Sequence, residues 1–160
     1  MGLKEETAGM DKFNILVVDD EELLRNLIVT CLLKLGHSCE TAIDGLDALG
    51  KMKQDKFDAV ITDVRMPRMD GINLTREILI RCPGPPVMVM TAYDEEYTAG
   101  TALSAGAREF IKKPFSISEF VIRLHKMIHD SQALNRAMTV KKDGEEDLDE
   151  LKNKLTNILK

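Results

Sequence analysis

Five side chains set the chemical possibilities of this sequence: the neighbours Asp19 and Asp20, then Asp63, Thr91 and Lys113. The first four stand at the ends of short apolar runs, and Lys113 follows the mixed segment 108–112. Three carboxylates brought together repel one another, and they stay ionised cheaply only if a cation neutralises them. Mg²⁺ suits such a set, because it takes oxygen ligands, commonly one or two carboxylates, and keeps several waters. Asp19 and Asp20 are then the holders. With its charge offset by the ion, Asp63 is a nucleophile for phosphorus and becomes an aspartyl phosphate. Lys113 supplies a point charge to one phosphoryl oxygen, and Thr91 donates a hydrogen bond to another. Taken singly, these residues have plainer roles: Asp19, Asp20, Glu21 and Glu22 all favour a helix N-terminus through its dipole. Only convergence separates the two readings.

Convergence requires one sheet. Asn14-Ile15-Leu16-Val17-Val18 is a continuous run rich in branched residues, the pattern of a strand buried on both faces. From Glu21 to Leu35, apolar residues at Leu24, Leu27, Ile28, Cys31 and Leu35 recur at helical spacing, with Gly36 where a helix C-terminal glycine belongs. The alternation then repeats, with strands over 38–42, 58–62, 86–90 and 108–112 and helices over 45–53, 71–81, 95–105 and 116–130. Ser116 is a cap for the last helix, with Glu119 three residues on. Five strands alternating with five helices predict a doubly wound α/β fold, since parallel neighbours need right-handed crossover connections. In such folds the working crevice lies beyond the carboxyl ends of the strands. All five candidate residues fall there.

Composition narrows the function classes. A net charge of −5 and a pI near 5.3 argue against a surface built to grip nucleic acid or anionic lipid, which needs clustered Lys and Arg. Cys31, Cys39 and Cys82 are widely spaced, so neither a disulfide framework nor a zinc site is suggested and the thiols are read as reduced and buried. Residues 1–12 are polar, and no later run approaches the roughly 20 apolar residues of a membrane span. A cytoplasmic protein with protein or small-ion partners is expected. His37 is read as a loop residue, and His125 and His129 as solvated surface, because no third ligand accompanies their helical spacing. Met88 and Met90 are read as core filler.

The acidic pair Asp19-Asp20, Asp63 with the Met66-Pro67 and Asp70-Gly71 steps after it, Thr91-Ala92 and Lys113-Pro114 agree in order and spacing with a known pattern. Over about residues 13–130 the chain resembles the receiver domain of bacterial response regulators in two-component signal transduction, with the chemotaxis regulator as the minimal relative. The resemblance implies a flavodoxin-like sheet of order 2-1-3-4-5 and a phosphoprotein whose Asp63 takes its phosphoryl group from a histidine kinase or phosphotransfer protein. It implies Mg²⁺ held by Asp20, Asp63 and the backbone carbonyl of Arg65, with Asp19 acting mainly through water. Thr91 would swing toward the phosphate and Phe110, three positions before Lys113, would turn inward, changing the surface of the fourth helix, fifth strand and fifth helix that a downstream protein reads. Phe110 departs from the frequent Tyr, so no hydroxyl reports its orientation. Arg65 and Tyr93 match the variable positions that tune dephosphorylation. In this family the Lys113-Pro114 bond is usually cis, which would aim the lysine inward. Such a chain is no enzyme in the ordinary sense, since it catalyses only its own phosphorylation and dephosphorylation.

Other readings fit less well. A haloacid-dehalogenase type phosphotransferase places a second Asp two residues after the nucleophile, where this chain has Arg65. A flavodoxin-type flavin module needs a phosphate loop after the first strand, and Asp19-Asp20-Glu21-Glu22 would repel a phosphate without a metal. A phosphorylation-independent adaptor keeps the fold but leaves the full acid set without purpose.

The remaining stretch divides into a polar linker over 131–144 and an amphipathic helix over 145–160, with Leu148, Leu151, Leu155 and Ile158 at spacings of three and four. Packing on its own domain, pairing with a second chain as a homodimer, and docking to a kinase or target are three open uses for that stripe. A helix-turn-helix output domain has no room here, so output through protein contacts is expected.

Overall fold

The computed structural model describes residues 11–81, 84–92 and 99–159, with residues 140–147 described as backbone alone. Its compact units are Met1–Met127 and Ile128–Lys160.

The first unit carries five parallel strands, β1 Asn14–Val18, β2 Ser38–Ala42, β3 Ala59–Asp63, β4 Val87–Thr91 and β5 Glu109–Lys112, in the order β2-β1-β3-β4-β5. The branched, apolar runs take the middle: β3 and β4 are buried along their whole length, whereas the edge strands β2 and β5 carry half-exposed residues. Between them run α1 Glu22–Lys34, α2 Gly45–Met52, α3 Gly71–Ile80 and α4 Ala99–Ser104, and α5 begins at Ile117. This is the doubly wound α/β fold with the expected order. The expected start of α4 at Glu95 lies outside the described residues.

Alternating residues divide the core between the two sheet faces. Leu16, Val18, Val60, Val87 and Val89 join Ala48 and Leu49 of α2 with Ile72, Leu74 and Ile78 of α3 in one cluster. Ile15, Val17, Ile61, Met88 and Met90, the intervening positions, are fully buried on the opposite side. Asp44 and Asp70 cap α2 and α3 by accepting the N–H of Asp47 at 2.9 Å and of Asn73 at 2.7 Å. Ser116 accepts the Glu119 N–H at 3.0 Å, while the Glu119 carboxylate turns to Arg123 instead of completing a capping box.

Several expectations change. Asp63 and Thr91 are the last residues of their strands and not the first after them, because each still has a ladder partner, Met90 and Lys112. Leu27 is exposed, so the buried face of α1 is carried by Ile28 and Leu32. Cys31 and Cys39 are half-buried free thiols, and Cys82 lies outside the described residues. His37 does sit between elements, yet it is buried: Nδ1 accepts the Phe13 N–H at 3.2 Å and Nε2 lies 3.0 Å from Nε2 of His125, which is half-buried and not fully solvated surface. His129 is exposed.

No linker interrupts the chain at 131–144, where α5 continues as one helix, Ile117–Ile158. The segment Ala133-Leu134-Asn135-Arg136-Ala137-Met138 is rich in strong helix formers, and one interior glycine, Gly144, costs only about 1 kcal/mol relative to alanine. Polarity alone does not break a helix. Among the described residues no helix is long and apolar enough to cross a membrane.

Candidate phosphoacceptor site

The carboxyl ends of β1, β3, β4 and β5 bring the predicted residues together. A carboxylate oxygen from each of Asp19, Asp20 and Asp63 lies within 4.8 Å of the others, and Lys113 Nζ stands 3.2 Å from Asp63 Oδ1. Asp19 and Asp63 are buried while Asp20 is exposed, so the cluster has a closed floor and an open rim. Thr91, also buried, ends β4 beside Asp63, its hydroxyl 3.4 Å from the Ala92 carbonyl. The Lys113-Pro114 peptide is cis.

Backbone contacts hold Asp63 in place. Its Oδ1 accepts the Val64 N–H at 2.9 Å, and its carbonyl accepts the Thr62 hydroxyl at 2.9 Å. The Gly71 N–H donates to the Val64 carbonyl at 2.8 Å, and a Cβ on Gly71 would overlap the Asp63 carbonyl oxygen. Asp70-Gly71 thus caps a helix and also closes the return of the β3–α3 loop onto the acceptor. Within that loop Arg68 adopts a positive φ of 64° and pairs with Asp44 at 2.6 Å. That pair, with the cap bond to Asp47, holds the buried Asp44 below its ordinary pKa despite the opposing effect of desolvation, the largest single influence on it.

Asp19 is held by two contacts, one through its side chain and one through its backbone. Its Oδ1 accepts the Glu21 N–H at 2.9 Å, and its backbone carbonyl accepts from Arg25 Nη1 at 2.8 Å. Burial is the main reason its pKa rises to about 6; Asp63 and Asp20 add to the rise, while the Glu21 N–H and Lys113 oppose it. Its Oδ2 is buried without a hydrogen-bond partner. A buried unsatisfied carboxylate oxygen among two other carboxylates is what a hard cation would satisfy. The donor set fits Mg²⁺.

The remaining expected residues are less central. Arg65 is exposed at the mouth of the loop. Phe110 is partly buried against the cluster that holds Val87 and Val89, and its carbonyl accepts from Arg123 Nη1 at 3.3 Å. Tyr93 lies outside the described residues.

Sequence reasoning missed two supports. Arg25 and Thr62 bind backbone carbonyls, and nothing in residue type marks such a contact. It also missed an apolar groove of about 230 Å³ beside the acids, lined by Leu24, Leu27 and Cys31 of α1 and by Pro114, Phe115 and Ile117, with Lys113 at its edge. The signal was present as an α1 stripe wider than the core required.

A family model described as the response regulator receiver domain matches residues 15–125. The response regulator MprA of Mycobacterium avium is 34% identical over 126 residues, covering 79% of this chain and 55% of that protein. The chain therefore spans about half the length of the curated relatives it matches. Among solved structures, NtrX from Brucella abortus superposes with a TM-score of 0.76 at 30% identity, covering 81% of this chain and 30% of that one. The receiver domain of Francisella response regulator 1452 superposes with a TM-score of 0.69 at 28% identity, covering 75% of this chain and 99% of that one. With the acids of β1 and β3 gathered at the sheet's carboxyl edge, this chain belongs to the response regulator receiver domain family.

Proposed function

We propose that Asp63 accepts a phosphoryl group from the phosphohistidine of a sensor histidine kinase or phosphotransfer protein, in a Mg²⁺-dependent reaction. The observation that carries this is the grouping of Asp19, Asp20 and Asp63 within 4.8 Å, with Lys113 on the acceptor oxygen. When bound by Asp19, Asp20, Asp63 and the Arg65 carbonyl, the ion neutralises charge on the acids and on the incoming phosphoryl oxygens.

An Asp63 carboxylate oxygen forms the bond to phosphorus as the donor's P–N bond breaks, and the imidazole leaves with a proton. Val64 N–H and Lys113 hold the carboxylate that attacks. Lys113 then transfers its attention to a phosphoryl oxygen, and the Thr91 hydroxyl donates to another. The apolar groove beside Lys113 supports a protein donor, since a small phosphodonor has no use for it. Water then attacks phosphorus as the bond to the Asp63 oxygen breaks, releasing orthophosphate and the free carboxylate, with Arg65 and Tyr93 setting how readily that water reaches phosphorus. The chain turns over no other substrate.

Output follows from a redistribution between two arrangements of Thr91 and Phe110, read by a downstream protein on the α4, β5 and α5 surface. The location in this reading is the cytoplasm, where the kinase donor works. Incubation with Mg²⁺ and acetyl phosphate tests the central step by intact mass. The parent should gain one phosphoryl group and Asp63→Asn none; equal gain by both would place the chemistry elsewhere.

A further inference from the structure

We propose that the C-terminal part of α5 pairs with the same segment of a second copy of this chain as a parallel two-stranded coiled coil. Leu148 and Leu155 take heptad positions a, and Leu151 and Ile158 take positions d, on a helix that runs unbroken to Ile158. Their exposures are 52%, 61%, 60% and 80%, so the helix itself does not cover the seam. Leu134, two heptads before Leu148, falls in the same column, but Lys141 and Gly144 take the a and d positions between them, so the apolar seam itself runs from Leu148 to Ile158.

A strict a and d stripe is narrower than the face a helix turns to a globular core, and its width matches one facing helix of the same repeat. A second copy supplies that helix with every layer in register. Charge selects the orientation. Lys152 occupies e and Lys154 occupies g, beside the seam. Aligning all four apolar layers antiparallel sets Lys152 against Lys152 and Lys154 against Lys154 of the partner subunit, a repulsion that their exposed, weak pairs with Asp149 and Glu150 offset only in part. In the parallel pair Lys154 instead lies across from position 159, where the exposed Leu159 can cover its methylene stem. Their ammonium groups meanwhile reach outward, Lys154 to Glu150 at 2.8 Å and Lys152 to Asp149 at 3.8 Å. A third helix would bury these flanking lysines, so two strands are favoured over the larger bundles that Leu155 and Ile158 at a and d would otherwise permit.

The inference does not depend on phosphorylation. Sedimentation equilibrium of the full chain should show a monomer–dimer equilibrium. The double substitution Leu151→Lys with Leu155→Lys should raise the dimer dissociation constant by roughly 100-fold or more, with helical circular dichroism and phosphoryl uptake from acetyl phosphate unchanged. A parent that stays monomeric at about 100 µM, that forms trimers or tetramers, or that dimerises no better than the variant would overturn the proposal. Oxidation of Ile158→Cys reads the orientation: pairs linked through position 158 on both chains support the parallel form. Linkage only between Leu148→Cys and Ile158→Cys chains in a mixture would refute it.

Discussion

Lys113 Nζ sits 3.2 Å from Asp63 Oδ1, the same oxygen that accepts the Val64 N–H at 2.9 Å. The lysine is thus within reach of whatever bonds to that carboxylate. Removing it as Lys113→Ala should slow phosphoryl uptake from acetyl phosphate by roughly 10²-fold, the usual effect of deleting one preorganised charge donor. A time course by intact mass measures this, and an unchanged rate would remove Lys113 from the proposed chemistry.

The unpartnered Oδ2 of Asp19 makes the acid cluster costly without a cation. In chelator, Asp19→Asn should be more stable than the parent by about 1–3 kcal/mol, because it relieves a buried unsatisfied charge. Added Mg²⁺ should raise the melting temperature of the parent more than that of the variant. Calorimetry with and without Mg²⁺ distinguishes the two, and equal shifts would remove Asp19 from the ion's holders.

Gly71 has no room for a side chain against the Asp63 carbonyl. Gly71→Ala should cost about 1–3 kcal/mol in urea unfolding, the range for overpacking a tight site, and should lower phosphoryl uptake by displacing the acceptor. Gly50, with nothing near its Cβ and a helical position, is the control: Gly50→Ala should be neutral or stabilising.

His37 sets a pH dependence. Burial, aided by His125, lowers its pKa from 6.5, and its Nδ1 is occupied as the acceptor for Phe13. The unfolded chain therefore binds the proton more readily than the folded one. Stability should fall as pH drops through about 6.5 and continue to fall until the lower folded pKa is reached. Urea midpoints between about pH 7.5 and pH 5.5 should drop more for the parent than for His37→Gln. Parallel curves would mean that His37 does not titrate as its burial requires.

Much of the site was legible because its chemistry is tied to strand ends. Asp19 and Thr91 stand where apolar runs stop, and a parallel sheet must bring such ends to one edge. The backbone supports of Asp63 were not legible: a carbonyl that accepts from Thr62 or leaves no space beside Gly71 has no signature in residue type. His37 shows the same limit, since its partner lies 88 positions away. The polar stretch after Ser131 misled for a different reason, because polarity reports exposure and an exposed helix is still a helix.

By itself the sequence determined the alternation of strands and helices, the sheet they form, and the set of acids at its edge, because hydrophobic period and residue type are local properties. Only the tertiary structure decided which oxygen of Asp19 is left without a partner, that Lys113 meets Asp63, and that His37 is buried against His125. Those depend on distances between segments far apart in the chain, and burial and charge act through distance.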